Sequence, residues 1–216
     1  TASLWQSDGK GEFTVTQAER DGPGTTIVMH LPKGEDEFLE EARLSHIIRT
    51  YSDHITFPIT LNVGKDKGDE PESPLNTASA LWTRPRKDIT EQQYKEFYHH
   101  VAHARDDPWL TFHIRAEGVI SYTGLLFIPS IRPHDLFEPE RKLHLKLYVK
   151  RVFITEKSEG LLPVWLRFLQ GIIDSEDLDL NISREMLQNN RVVAKIKSGI
   201  TKRILRDLTK KAEKDP

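Results

Sequence analysis

Between Gly64 and Pro74 the chain carries no apolar side chain. Its lysines, acids, glycines and prolines have nothing to bury that could offset the entropy of being ordered. No continuous core can thread through such a run, so the sequence predicts two folded parts joined by a flexible charged linker over residues 64–75. The first part is residues 1–63 and the second residues 76–216. At 216 residues the chain is long enough for one or two domains with a real core.

The first part has the grammar of strands and turns. Leu4 to Ser7 and Glu12 to Val15 flank Asp8-Gly9-Lys10-Gly11, a glycine-rich reversal that predicts a hairpin. Asp21-Gly22-Pro23-Gly24 leads into Thr25 to Leu31, whose β-branched residues predict a further strand. Neither glycine loop is followed by the lysine pattern of a phosphate-binding loop, and both are read as turns. Residues 35–50 predict a helix, with Phe38, Leu39, Ala42, Ile47, Ile48 and Tyr51 on one side. Glu35, Asp36 and Glu37 in its first turn and Arg49 in its last complement the helix dipole. Ile55 to Val63 reads as a strand, with Pro58 at an edge or bulge.

The second part mixes helical and alternating patterns. Thr90 with Gln93 spells a capping box, and Tyr94, Phe97, Tyr98 and Val101 give the stripe of a buried helix face. Leu110, Phe112 and Ile114 alternate with polar neighbours, and Glu117-Gly118 turns the chain into Val119 to Pro129. Leu145, Leu147 and Val149 predict a third strand, continuing through Val152-Phe153-Ile154. Pro163 to Ile173 reads as a helix. A closing helix places Val192, Ile196, Ile200, Ile204 and Leu208 on one face, with Lys195, Lys202, Arg203, Arg206 and Lys210 around it. Antiparallel strands with helices packed against a face make the expected class α+β.

Composition narrows the function classes. Lys and Arg (31) nearly balance Asp and Glu (33), so no strong field draws nucleic acid or an anionic membrane. The basic face of the closing helix is broken by Asp207 and Glu213 and lacks an aromatic platform, so no nucleic acid partner is expected. No apolar run approaches the ~20 residues that span a bilayer, and no membrane partner is expected. The absence of cysteine suits a cytoplasmic protein and removes thiol chemistry. The chain opens on Thr1 inside an apparent strand, so it reads as a piece of a larger protein. His99, His100 and His103 lack the glutamate of a zincin motif and are expected to be solvated; no metal site is expected. The carboxylates from Asp174 to Asp179 lack the glycine and spacing of a calcium loop and read as caps and solvated charge. Trp109 and Trp165 lie within apolar patterns and read as core, whereas Trp82, beside a polar run, is the least easily placed there.

The strip Asn181-Ile182-Ser183-Arg184-Glu185-Met186-Leu187-Gln188-Asn189-Asn190 separates the last two apolar segments. Arg184 offers a planar fork of donors suited to phosphate or carboxylate. An internal ion pair with the preceding acids is an equally open reading. Together with Trp5 to Gly9, Tyr51 to Ile55, Ala80 to Arg84 and Leu147 to Ile154, this strip resembles the ninety-kilodalton heat-shock chaperones, the heat shock protein 90 family, over nearly the whole chain.

That resemblance implies that residues 1–63 end an amino-terminal ATP-binding α/β sandwich. It also implies that residues 76–216 are the large, layered αβα part of a middle domain. The full-length parent would hydrolyse ATP with Mg2+ bound, Thr25 helping to hold the adenine. Arg184 and Gln188 would act on the phosphate, with Asn181, Ser183 and Glu185 supporting their loop. Trp82 and Phe153 would lie on surfaces that meet clients or other domains. Implied partners are unfolded or partly folded client proteins, the amino-terminal domain of the same chain, and a second copy in a homodimer. One position departs from the pattern: Asp179 stands where relatives commonly carry proline, loosening the approach to Asn181 and adding negative charge near Arg184. The chain lacks the family's general-base glutamate, metal-site asparagine and glycine-rich lid. Alone it is expected to bind no cofactor and to be inactive. The competing reading is a non-catalytic docking module for clients or co-chaperones in which Arg184 is structural. A stand-alone phosphotransferase is disfavoured by the absence of any nucleotide-cradling motif.

Overall fold

Strand pairing begins where the glycine-rich reversal predicts it. In the computed structural model, which describes residues 1–62, 73–138, 144–156, 160–179 and 190–214, β1 (Ala2–Ser7) and β2 (Phe13–Ala18) form an antiparallel hairpin. Gly9 and Gly11 take positive φ in the turn, a conformation that costs glycine little. Thr25 to Leu31 forms no strand, contrary to its β propensity, and Ile27, Val28 and Met29 are exposed. Propensity becomes structure only against a pairing edge, and among the described residues no strand pairs with this one.

The chain divides into two compact units, Thr1–Phe38 and Leu39–Pro216. The division lies upstream of the expected linker, most of which (64–72) is outside the described residues. The helix expected over 35–50 is interrupted. A 3-10 turn at Asp36–Leu39 precedes Glu40, whose extended backbone starts α1 (Glu41–Tyr51) afresh. No strand forms over the described residues 55–62. Their backbone groups are taken instead by the side chain of Asn76, which accepts from Ile59 N and donates to the carbonyls of Ile55 and Phe57.

The second unit is built on a five-stranded sheet in the order β3-β4-β7-β5-β6. Its strands are β3 (Pro108–Ala116), β4 (Tyr122–Pro129), β5 (His144–Val149), β6 (Val152–Thr155) and β7 (Gln170–Ser175). Every pairing is antiparallel except β5 with β7, which is parallel, so the sheet is mixed. Alternation along the strands sends side chains to two cores. Leu125, Phe127, Tyr148 and Ile172 meet Trp82, Tyr98 and Val101 beneath α2 (Glu91–Ala102). Phe112, Ile114, Leu126, Leu145, Leu147 and Ile173 meet Val193, Ile196, Ile200 and Ile204 of α3 (Arg191–Lys214). A helix on each sheet face gives the layered α+β arrangement. The capping box of α2 forms in both directions, Thr90 Oγ1 accepting from Gln93 N while Gln93 Oε1 accepts from Thr90 N.

Two expectations are overturned here. Residues 163–173 are not a helix: a short 3-10 turn (Val164–Leu166) gives way to β7, the central strand. Gly171 decides this, because its φ is +133 and a Cβ there would collide with the backbone of Leu125 and Leu126. The segment from Leu145 to Ile154 is not one strand. It folds back at Lys150 and Arg151, both at positive φ (51 and 68), into a two-residue hairpin pairing Val149 with Val152.

Candidate functional site at the end of the central strand

The strained Lys150–Arg151 turn costs roughly 1–2 kcal/mol per residue, since neither is glycine. The end of β7 holds it in place. Lys150 N donates to Ser175 O at 3.1 Å, and Arg151 N donates to the Asp174 carboxylate at 3.2 Å. The other Asp174 oxygen accepts from Trp82 Nε1 at 2.8 Å. Asp174 is only 4% exposed, so burial pushes its carboxyl above the usual value, while the indole and the Arg151 amide pull it back in part. This overturns the reading of Asp174 as solvated charge.

Of the four tryptophans, the three in the second part are allocated the opposite way from expectation. Trp82 is fully buried, while Trp109 and Trp165 are 51% and 55% exposed. Trp82 is drawn in because every face finds a partner. Its indole N–H has Asp174, its carbonyl accepts from His113 Nε2 at 2.9 Å, and its ring meets His54 at 4.6 Å and Tyr148 at 5.1 Å. A carbonyl only accepts, so His113 carries its proton on Nε2 and Nδ1 takes the Tyr94 hydroxyl proton at 2.7 Å. Burial holds the pKa values of both His54 and His113 below the usual histidine value.

Beyond β7 the chain is clipped again. Glu176 N donates to Ser121 O, Ser121 N donates to the Asp177 carboxylate, and Leu178 is buried in the α3-side core. On the far side, Asn190 caps α3, its Oδ1 accepting from Val192 N at 2.8 Å and Val193 N at 3.4 Å. Arg184, Gln188, Asn181, Ser183 and Glu185 fall in sequence between these two anchored segments and lie outside the described residues. Beside the first segment is a polar cleft of about 430 Å³ whose lining includes Thr83, Arg115, Thr123, Arg151, Asp174 and Glu176.

Phe153 is half-buried on β6 and sits in a larger cleft of about 840 Å³ with Tyr51, His54, His100 and Tyr148. Tyr148 links Trp82 to Phe153, with ring centroids 5.1 and 5.6 Å away. The two residues assigned to contact surfaces thus belong to one aromatic stack, with Phe153 at its accessible end and Trp82 at its buried end. His99 bonds the Asp106 carbonyl and His100 and His103 are exposed; no group of described residues is arranged to hold a metal ion.

Thr25 belongs to the other unit. It is exposed beside a cleft of about 550 Å³ lined by the strand ends of the hairpin and the Gly22–Thr26 turn, where Arg20 Nη1 donates to Thr26 Oγ1. One exposed hydroxyl does not make a triphosphate cradle, and these residues do not fit Mg2+. Sequence reasoning missed Asp174, Ser121 and Asn76. Asp174 alone left a trace, as a carboxylate ending an apolar run.

The Hsp90 protein family matches residues 67–216. The chain is 59% identical to Chaperone protein HtpG of Paramagnetospirillum magneticum over 97% of this chain and 33% of that protein. It is 54% identical to Chaperone protein HtpG of Roseobacter denitrificans over 99% of this chain and 33% of that protein. It is likewise 54% identical to Chaperone protein HtpG of Rickettsia bellii over 99% of this chain and 34% of that protein. The chain therefore spans about a third of the length of the curated relatives it matches. No described helix is long and apolar enough to cross a membrane.

Proposed function

Because the chain belongs to the Hsp90 protein family, we propose that it is part of an ATP-dependent chaperone whose Arg184 reaches ATP held by the amino-terminal domain. The supporting observation is that the chain is anchored on both sides, in sequence, of the strip that holds Arg184. The end of β7, clipped through Glu176, Asp177 and Leu178, delivers the chain, and the Asn190-capped helix receives it. A catalytic arginine needs such a rigid base, because small displacements forfeit much of its effect. The guanidinium fork neutralises charge developing on the transferring phosphoryl oxygens, a role worth about 10³–10⁵ in rate where it has been measured. Gln188 holds the loop against the phosphate, and Asn181, Ser183 and Glu185 fix its shape. Clients and a second copy of the whole parent are the proposed partners, with client contact assigned to the aromatic cleft at Phe153.

In the full-length parent, Arg184→Ala is expected to reduce ATP turnover by about 10²-fold or more. ATP affinity should change far less, and Arg184→Lys should rescue poorly because a point charge lacks the planar fork. Turnover, affinity and thermal midpoint measured on one preparation separate this from a structural ion pair. Loss of stability with near-wild-type turnover in the folded fraction rejects the catalytic role. The Phe153 cleft favours a second reading, a docking module without catalysis, and that outcome would support it.

A further inference from the structure

Residues on the two sides of the charged run are bonded to each other directly. Asn76 is 6% exposed, and its amide meets only backbone: Oδ1 accepts from Ile59 N at 2.8 Å, and Nδ2 faces the carbonyls of Phe57, Ile55 and Ser52 at 3.0, 3.1 and 3.4 Å. The orientation is fixed by chemistry, since an N–H only donates and a carbonyl only accepts. Next to it, Thr77 N and Thr77 Oγ1 donate to the Asp53 carboxylate at 3.0 and 2.9 Å. Ala78 N donates to Asp53 O and Leu75 N to Ile59 O. Ala78 adopts φ 47 in making this approach, a strain that persists only where the surroundings over-determine it.

Both sides of this seam are anchored independently. The 52–59 side follows α1, whose Tyr51 ring lies 5.9 Å from Phe153 on β6. The 75–78 side continues into Ala80 and Trp82, both in the core under α2. His54 ties the two together, bonding Ser79 O through Nδ1 at 2.8 Å and meeting the Trp82 ring.

We infer that Asn76 is the positioning residue of a non-covalent joint, internal to the second unit, that keeps residues 39–62 seated on the rest of that unit without the covalent connection through residues 63–72. The charged run then sets only the local concentration of two surfaces that recognise each other through backbone groups. This inference does not depend on the role proposed for Arg184.

The test uses the full chain with a protease recognition sequence replacing residues 64–69, cut after folding. The two pieces are expected to co-elute at micromolar concentration, with the Ile59 and Leu75 amides still protected from hydrogen exchange. Asn76→Ala should weaken their association by at least about 30-fold, because several backbone groups lose their partner at once. Asn76→Asp should weaken it at least as much, since a carboxylate would face three carbonyl oxygens. In the uncut variants exchange should quicken at 52–59 while Leu125 in β4 and Ile172 in β7 stay protected. Separation of the unaltered cut pieces overturns the inference. So does undiminished association of both variants, or faster exchange spread equally through β4 and β7.

Discussion

At the residue scale, the groups around Trp82 carry opposite pH signs. His54 faces Asp53, His100 and Lys146, and burial is the largest influence on it, holding its pKa below the ordinary value of 6.5. The unfolded chain therefore binds protons more readily at this position, and stability rises with pH. The contribution is complete above the ordinary histidine range and is lost as pH falls through 6.5 toward the lower folded value. His113 has the same sign. Asp174 has the reverse: its raised folded pKa adds stability below its ordinary 3.8, which is lost as pH climbs through the folded value. Loss of stability as pH falls through 6.5 thus belongs to the histidines and not to Asp174. The thermal midpoint is expected to fall over that window, and His54→Gln should flatten the fall, as read by calorimetry at each pH. An unchanged slope would remove His54 from the account.

At the element scale, helix caps and helix-face spacing carry through to the structure, whereas strand propensity without a pairing edge does not, as at Thr25 to Leu31 and over 55–62. The Thr90–Gln93 box, the Tyr94 to Val101 stripe and the Ile196, Ile200, Ile204 face are written in spacing alone, and each formed. The sequence of β7 reads as a helix because a central strand buried on both faces has a continuous apolar run indistinguishable by period from a buried helix. Gly171 was the available clue, yet only the nearby Leu125 backbone explains it. Trp82 and Asp174 lie far apart in sequence, and no spacing rule pairs them. The Arg184 strip was legible only through resemblance, since the residues alone left phosphate and ion-pair readings open.

A second close approach of this kind is Gly199 on α3, where a Cβ would lie 2.5 Å from Tyr122 Oη. Gly199→Ala is expected to destabilise the chain, although alanine is the better helix former by about 1 kcal/mol. Tyr122→Phe should recover much of the loss in the double variant, a coupling that a double-mutant cycle in denaturant measures. Additive effects would mean that the hydroxyl is not what excludes the methyl group.

At the scale of the whole molecule, the hairpin unit and the layered unit together span about a third of the length of the curated relatives the chain matches. The described residues include no triphosphate cradle and no arrangement suited to a metal ion. The purified chain is expected to show no measurable ATP turnover and no tight ATP binding by calorimetry; a micromolar dissociation constant would contradict this. The strand order β3-β4-β7-β5-β6 carries one more consequence. Two hairpins, β3–β4 and β5–β6, leave the ribosome before the strand that belongs between them. Until Gln170 to Ser175 has been synthesised, each half-sheet offers an open edge and an uncovered apolar face to whatever else the cell is making. The strand that closes both open edges is thus the last of the sheet to arrive, and the interval before it is the one in which this chain is most exposed to mispairing.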